Sequence, residues 1–284
     1  MSNTGPPATP SRGIRPDILR WIPPTWDHFL GNRRLKRFLK RLLLAIRKQI
    51  EEGQVRELNK PPFLLTGLSR SGKTAMVSFF VRCLACQLLD METLNPCDGR
   101  CEACKQRPEV NGENGVFAYL RESDRSVHVH LQVIDALMIE GPSELREKVR
   151  ELREFDGIRV VYVDEVHRLV RREMDEILLK AIEQKGFIWI FSTARPEGLE
   201  DMFLNRLIKV STELPEAGDM EEWLADRCDE WGIKWEADAI LRVVEKSNRV
   251  VGTALHALAL AAIEPKTGLT LELVEEDWQM SVEP

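Results

Sequence analysis

The spacing of apolar residues changes several times along the chain, and these changes outline the fold. Over residues 32–52, Leu35, Phe38, Leu39, Leu42, Leu43, Ile46 and Ile50 recur at helical spacing with Arg and Lys opposite them, which predicts an amphipathic helix. Short, nearly continuous apolar runs follow: FLL at 63–65, VHVHLQVIDAL at 127–137, IRVVYVDE at 158–165 and FIWIFST at 187–193. Runs of this length, rich in Val, Ile and Phe and bounded by turn residues, predict buried strands. Between them the helical period returns: after residue 72 to about Leu89, from Pro142 and Ser143 to about Phe155 with Gly157 closing it, and over 170–184. This alternation predicts an α/β fold, a parallel sheet with helices on both faces. From about Glu216 the strand-like runs stop, and helices are predicted at 221–231, 237–246 and 253–263. Residues 20–215 thus read as the main domain and 216–284 as a smaller helical one, joined through Thr212–Asp219. Residues 1–19 read as a disordered tail, and 90–115, rich in Cys, Gly, Pro and Asn, as an insert.

The junction after the first strand carries the most specific chemistry. Gly67, Gly72, Lys73 and Thr74 fit G-x-x-x-x-G-K-[ST], between the apolar run 63–65 and a helical pattern. This spacing resembles the phosphate-binding loop of P-loop nucleoside triphosphatases. Glycines let successive backbone N–H groups curl round phosphates, and the helix that follows points its positive end at the anion. Ser69, Arg70 and Ser71 lie in the turn and Ala75 in the first helical turn. Lys73 would bridge the terminal phosphates of ATP, and Thr74 would place its hydroxyl on Mg²⁺.

The strand 160–165, VVYVDE, complements the loop: four largely apolar residues bury it, and two carboxylates emerge at its C-terminal end, where parallel sheets bind ligands. Asp164 would hold Mg²⁺, and Glu165 would polarise the attacking water as general base. Arg206, in FLNRL, could reach a neighbouring subunit's nucleotide as an arginine finger; its plainer reading is a surface arginine.

Charge and composition refine this picture. The net charge of −6 does not announce a nucleic-acid binder, but Arg33, Arg34, Lys36, Arg37, Lys40, Arg41, Arg47 and Lys48 gather on one predicted helix. Contact with nucleic-acid phosphates and a solvated basic face explain them equally well. No apolar run reaches membrane-spanning length and the N-terminus lacks a signal-peptide core, so a cytoplasmic protein with no membrane partner is expected.

Of the six cysteines, Cys83, Cys86, Cys97, Cys101 and Cys104 fall close together. In a cytosolic nucleotide-binding protein such clustering argues for metal rather than disulfides. Cys97, Cys101 and Cys104 supply three thiolates of a tetrahedral Zn²⁺ site, and Cys86 or Cys83 could supply the fourth. His128 and His130 alternate on one strand with no third ligand nearby and read as strand residues. Trp223, Trp231 and Trp235 read as packing and interface residues.

Together these marks resemble the AAA+ ATPases, within them the branch of bacterial clamp-loader subunits and the Holliday-junction branch-migration motor, over roughly residues 20–280. PPTWDHFLGNRRLKRFL (23–39) is similar to the family's opening segment, which implies that Phe29 and Leu30, followed by Gly31, lie near the adenine. DEVHRLVRREMDEILLKAIE (164–183) is similar to the second acidic motif and its helix. FSTARPEGLEDMFLNRL (191–207) resembles the sensor-1 strand and the finger helix, which implies Thr193 as sensor 1, orienting water at the γ-phosphate, and Arg206 as the finger. Resemblance to the clamp-loader γ/τ subunits implies Cys86 as the fourth zinc ligand and a zinc-binding insert at 86–104, with Cys83 left as a buried helix residue.

Two departures stand out. The family's second sensor is an arginine at a lid helix, and VVGTALHAL (250–258) has Leu255 there, with His256 adjacent but expected to face elsewhere. The winged-helix domain of the branch-migration motor and the collar of clamp loaders have no counterpart up to Pro284. The resemblance implies an ATP-hydrolysing oligomer, homomeric or heteromeric, working in DNA replication or recombination, with direct DNA contact left open. The departures keep an alternative alive, an adaptor that binds ATP and partner proteins with little hydrolysis. The run Asp164-Glu165-Val166-His167 also fits DExH-type helicases, but these need two motor domains and one fits here.

Overall fold

The computed structural model describes residues 18–105, 115–122, 125–154, 157–170, 174–263 and 268–276. The tail expected over 1–19 lies almost wholly outside them. Its first long element is α1 (Arg33–Glu51), followed by β1 (Phe63–Thr66), α2 (Lys73–Ala85) and the short α3 (Glu102–Lys105). Then come β2 (Gly115–Glu122), β3 (Arg125–Asp135), α4 (Pro142–Glu154) and β4 (Ile158–Asp164). The core continues through α5 (His167–Val170), α6 (Asp175–Ile182), β5 (Phe187–Thr193), α7 (Asp201–Leu204) and β6 (Ile208–Ser211). Four helices finish the described chain: α8 (Ala217–Trp231), α9 (Ala237–Lys246), α10 (Val251–Ile263) and α11 (Leu271–Glu276).

The strands form one sheet in the order β2-β3-β4-β5-β1-β6, with β2 antiparallel to β3 and every other pairing parallel. Alternation along each strand sorts side chains between two layers. Phe63, Leu65, Val160, Tyr162, Ile188 and Ile190 pack with Leu35, Leu39, Leu43, Phe79 and Phe80 of α1 and α2. Leu64, Val161, Val163, Trp189 and Phe191 pack on the other face with Leu145, Leu178 and Phe203 of α4, α6 and α7. Removing a side chain of this size from water stabilises by roughly 1.5–3 kcal/mol, so a sheet covered on both faces is the expected resting place for such apolar strands. The predicted sheet is thus present, with two strands the pattern did not announce. β2 begins at the last residue of the segment read as an insert and runs beyond it, and β6 is a four-residue edge strand with one buried residue.

The α2 helix stops at Ala85 rather than near Leu89, because Cys86 leaves the helix in an extended conformation and carries its sulfur toward the other cysteines. The four C-terminal helices share their own core, in which Met220, Trp223, Leu224, Ile240, Val244 and Leu258 meet Ile18 from the start of the described chain. Trp21 packs edge-on against Trp231 at 5.5 Å, so the segment before α1 docks on these helices. Trp223 Nε1 donates to His28 O at 3.1 Å, and Arg249 Nη1 donates to Pro215 O at 3.3 Å.

Candidate nucleotide site and cysteine cluster

The loop between β1 and α2 is shaped by close approaches. A Cβ on Gly67 would lie 1.8 Å from Thr212 Oγ1, so no side chain fits there. Thr212 also holds the loop from the next strand: its N–H donates to Thr66 O at 2.8 Å, and its hydroxyl donates to Ser71 Oγ at 2.9 Å. Arg70, at φ 61°, makes the tight turn that points the loop at the start of α2. Lys73 is buried, and its Nζ donates to Gly67 O at 3.0 Å and Leu68 O at 2.8 Å. Burial lowers its pKa, while the nearby Glu165 and Asp164 carboxylates oppose that shift.

The carboxylates stand beside this loop because β4 and β5 are paired in register up to Val163 and Phe191. Asp164 Oδ1 accepts from Glu165 N at 3.0 Å, from Tyr162 OH at 3.1 Å and, closely, from Ser192 Oγ. Tyr162 OH also lies 3.2 Å from Thr74 Oγ1 and 3.0 Å from Ser192 Oγ. Burial, then the Asp164 charge, raise the pKa of this phenol, so it keeps its proton. Glu165 sits at φ 51°, a conformation non-glycine residues seldom adopt. Its Oε2 lies 3.1 Å from His167 Nδ1, which in turn lies 2.9 Å from Thr193 Oγ1. The hard oxygens of Thr74 and Asp164 are the donor type that Mg²⁺ selects, and the pair fits that ion.

A cavity of about 330 Å³ opens over the loop. It gathers Ser69, Arg70, Ser71, Gly72, Lys73, Thr74 and Ala75 with Asp164 and Glu165, and Phe29 and Leu30 line its other side. Gly67, Thr193 and Arg206 are not in its lining. Gly67 shapes the loop from behind, and Thr193 is fully buried against His167, reaching Glu165 only through it. Arg206 is half-exposed and paired with Glu183 Oε1 at 2.8 Å. The C-terminal helices close the cavity with Trp223, Gly252, Leu255 and His256. The expectation that His256 faces elsewhere is therefore corrected: in the second turn of α10 it shares the cavity with Leu255.

Tyr162, Ser192, His167 and Trp223 escaped the sequence reading as site residues. Tyr162 and Ser192 each interrupt an otherwise apolar strand, which was the available signal.

The basic helix divides its charges. Arg33, Arg34, Arg37, Arg41 and Lys48 are exposed. Lys36 Nζ donates to Phe29 O at 2.9 Å, and Lys40 lies over the Trp26 ring at 5.7 Å. Arg47 donates to Cys83 O at 3.1 Å and, closely, to Cys86 O.

The sulfurs of Cys86, Cys97, Cys101 and Cys104 lie within 4.8 Å of one another, all buried. Backbone N–H groups of Cys97 and Cys101 donate to the sulfurs of Cys86 and Cys97 at 3.2 and 3.3 Å. Hydrogen bonding from the Cys104 thiol lowers the Cys86 pKa and favours its thiolate. Sulfurs of a tetrahedral zinc tetrathiolate stand about 3.8 Å apart, given Zn–S bonds of about 2.3 Å, so the four residues fit Zn²⁺ with little movement. Cys83 is outside the group, and burial pushes its thiol pKa up. His130 is likewise outside it, and the four cysteines are the one such cluster among the described residues.

No protein-family profile matches the chain. Among curated proteins, DNA polymerase III subunit gamma of Buchnera aphidicola subsp. Baizongia pistaciae is 23% identical over 266 residues, covering 93% of this chain and 64% of that protein. DNA polymerase III subunit tau/gamma of Haemophilus influenzae is 22% identical over 237 residues, covering 83% of this chain and 30% of that protein. Among solved structures, the Thermotoga maritima RuvB Holliday junction branch migration motor matches with a TM-score of 0.57 at 15% identity, over 93% of this chain and 73% of that one. The chain has the AAA+ fold. Its resemblance to the clamp-loader and branch-migration branch is borne out from two sides, by sequence to the first and by structure to the second. The chain spans less than two thirds of the curated relatives' length. Within this fold, the loop between β1 and α2, the acidic strand end and the closing helices line one continuous cavity.

Proposed function

We propose that this chain binds ATP–Mg²⁺ in the cavity over the phosphate loop and hydrolyses it, as an oligomeric cytoplasmic motor of DNA replication or recombination. The observation that carries this reading is the convergence of Lys73, Thr74, Asp164 and Glu165 with the lid residues Leu255 and His256 on one cavity. Residues 20–215 act as the nucleotide-binding core and 216–284 as its lid. Phe29 and Leu30 hold the base. The loop amides and Lys73 hold the phosphates, and Thr74 and Asp164 hold Mg²⁺, which shields phosphate charge when bound.

Glu165 orients and deprotonates the attacking water, and His167 couples it to Thr193. Arg206 serves the neighbouring subunit, consistent with its absence from its own chain's cavity. Lid rotation against the core would carry the state of the nucleotide to the next subunit and to DNA. The cysteine cluster takes Zn²⁺ in a structural role, since four thiolates leave no open position.

Leu255 in place of the lid arginine favours a second reading, an ATP-binding adaptor that scarcely turns over. ATPase turnover of wild type, Glu165→Gln and Arg206→Ala across protein concentration, with and without DNA, separates the two. A rate that rises with assembly and is lost in both variants supports the motor. A flat rate, insensitive to either change despite tight ATP binding, supports the adaptor.

A further inference from the structure

We propose that Tyr162 is a positioning residue for the divalent cation: its phenol joins Thr74 to Asp164 and sets the direction in which Thr74 offers its oxygen. This rests on the ATP–Mg²⁺ reading above.

Tyr162 stands two residues before Asp164 on β4, on the same side of the strand. It is fully buried, in a run whose other members are valines. Phenylalanine would fill the same space, yet the hydroxyl is present and lies within hydrogen-bond distance of three oxygens. These are Thr74 Oγ1 at 3.2 Å, Asp164 Oδ1 at 3.1 Å and Ser192 Oγ at 3.0 Å.

Counting protons fixes the direction of the chain. A carboxylate oxygen accepts, and the Ser192 hydroxyl donates to Asp164 Oδ1. The carboxylate is the strongest acceptor within reach of the single phenolic proton, so Tyr162 donates to Asp164 Oδ1 and its proton points away from Thr74. The contact between Thr74 and Tyr162 is then a hydrogen bond only if Thr74 donates. A donating Thr74 keeps its lone pairs for a cation. The same phenol, with Ser192 and Glu165 N, loads three donors onto Oδ1 of Asp164, and among the described residues none goes to Oδ2. Tyr162 therefore preorganises both oxygen ligands before the cation arrives.

The test is a titration of a fluorescent ATP analogue against wild type, Tyr162→Phe, Thr74→Ala and the double variant, in EDTA and across Mg²⁺ concentration. Tyr162→Phe is expected to raise the Mg²⁺ needed for half-maximal binding enhancement about tenfold, the loss of one hydrogen bond to a charged or metal-facing group. Affinity in EDTA should stay within about twofold, because the volume is conserved. Adding Tyr162→Phe to Thr74→Ala should give less than the full single-variant shift, since the two act through one chain of bonds. An unchanged Mg²⁺ requirement, an equal loss of affinity in EDTA, or full additivity would overturn the proposal. Wild type binding no nucleotide in either condition would overturn the ATP reading and this inference together.

Discussion

The backbone N–H of Gly252, in the first turn of α10, donates to the carbonyl oxygen of Arg70 at 3.0 Å. A helix of the C-terminal unit is therefore bonded directly to the loop between β1 and α2. The same helix places Leu255 and His256 in the cavity one turn further on. A Cβ on Gly252 would lie 2.5 Å from the same oxygen, closer than real Cβ contacts come.

Gly252→Val should push α10 off the loop while leaving the separate core of α8 to α11 intact. We expect nucleotide affinity to fall about tenfold, the scale of one lost contact plus local strain. The midpoint of thermal unfolding without nucleotide should move little. Affinity equal to wild type would mean that the helix does not report on the site.

His256 should make the docking pH-sensitive. Burial, then the Arg70 charge, lower its pKa below the ordinary histidine value. With a folded pKa depressed below the unfolded one, the unfolded chain binds more protons in the interval between them. Stability without nucleotide is then full above about pH 6.5 and declines as pH falls through the folded value. Phosphate should reverse the sign by favouring the imidazolium, so ATP should raise the His256 pKa in an NMR titration. His256→Gln should remove the pH dependence of both readouts. A profile that survives this change would assign it to another group.

Arg206→Ala should barely affect the fold. Its partner Glu183 is exposed and the arginine is itself half-exposed, and such surface pairs contribute about 0–1 kcal/mol. The loss should fall on turnover of the assembled protein, by about 10³-fold if the residue acts as a finger on a neighbour's nucleotide. Glu183→Gln separates the effects: it breaks the same pair and should leave turnover intact. Equal losses in both variants would assign the effect to the pair.

Metal analysis should find one zinc per chain, lost on Cys101→Ser and kept on Cys83→Ala. Removing the metal, by chelator or by Cys101→Ser, should lower the unfolding midpoint by several degrees, because closing the site contributes folding energy. Cys83→Ala should cost about 1 kcal/mol, a small buried side chain shortened by one heavy atom. Zinc lost equally on Cys83→Ala would exchange the roles of the two helix cysteines.

Legibility followed sequence distance. The loop from Gly67 to Thr74 could be read directly because strand, turn and helix are contiguous, and each residue's role depends on its neighbours within one turn. The cysteine spacing was legible for the same reason, although the choice between Cys86 and Cys83 came from resemblance. The structure places Cys86 in the cluster by ending α2 at Ala85, the residue before it. β6 was missed because a four-residue edge strand with one buried side chain has no period to detect. β2 was missed although Val116–Leu120 form an apolar run, because the run abuts the segment read as an insert and lies only a few residues before the next strand.

The sequence by itself determined the layered α/β core, the helical unit after it and the strand–loop–helix junction at Gly67–Thr74, because local period and contiguous motifs encode these. Tertiary structure alone decided that Tyr162 meets Thr74 and Ser192, that His167 stands between Glu165 and Thr193, and that His256 enters the cavity. Each of these contacts joins elements whose register or docking is set by packing across the whole domain, and apolar packing does not announce which polar atoms it will bring within 3 Å of one another.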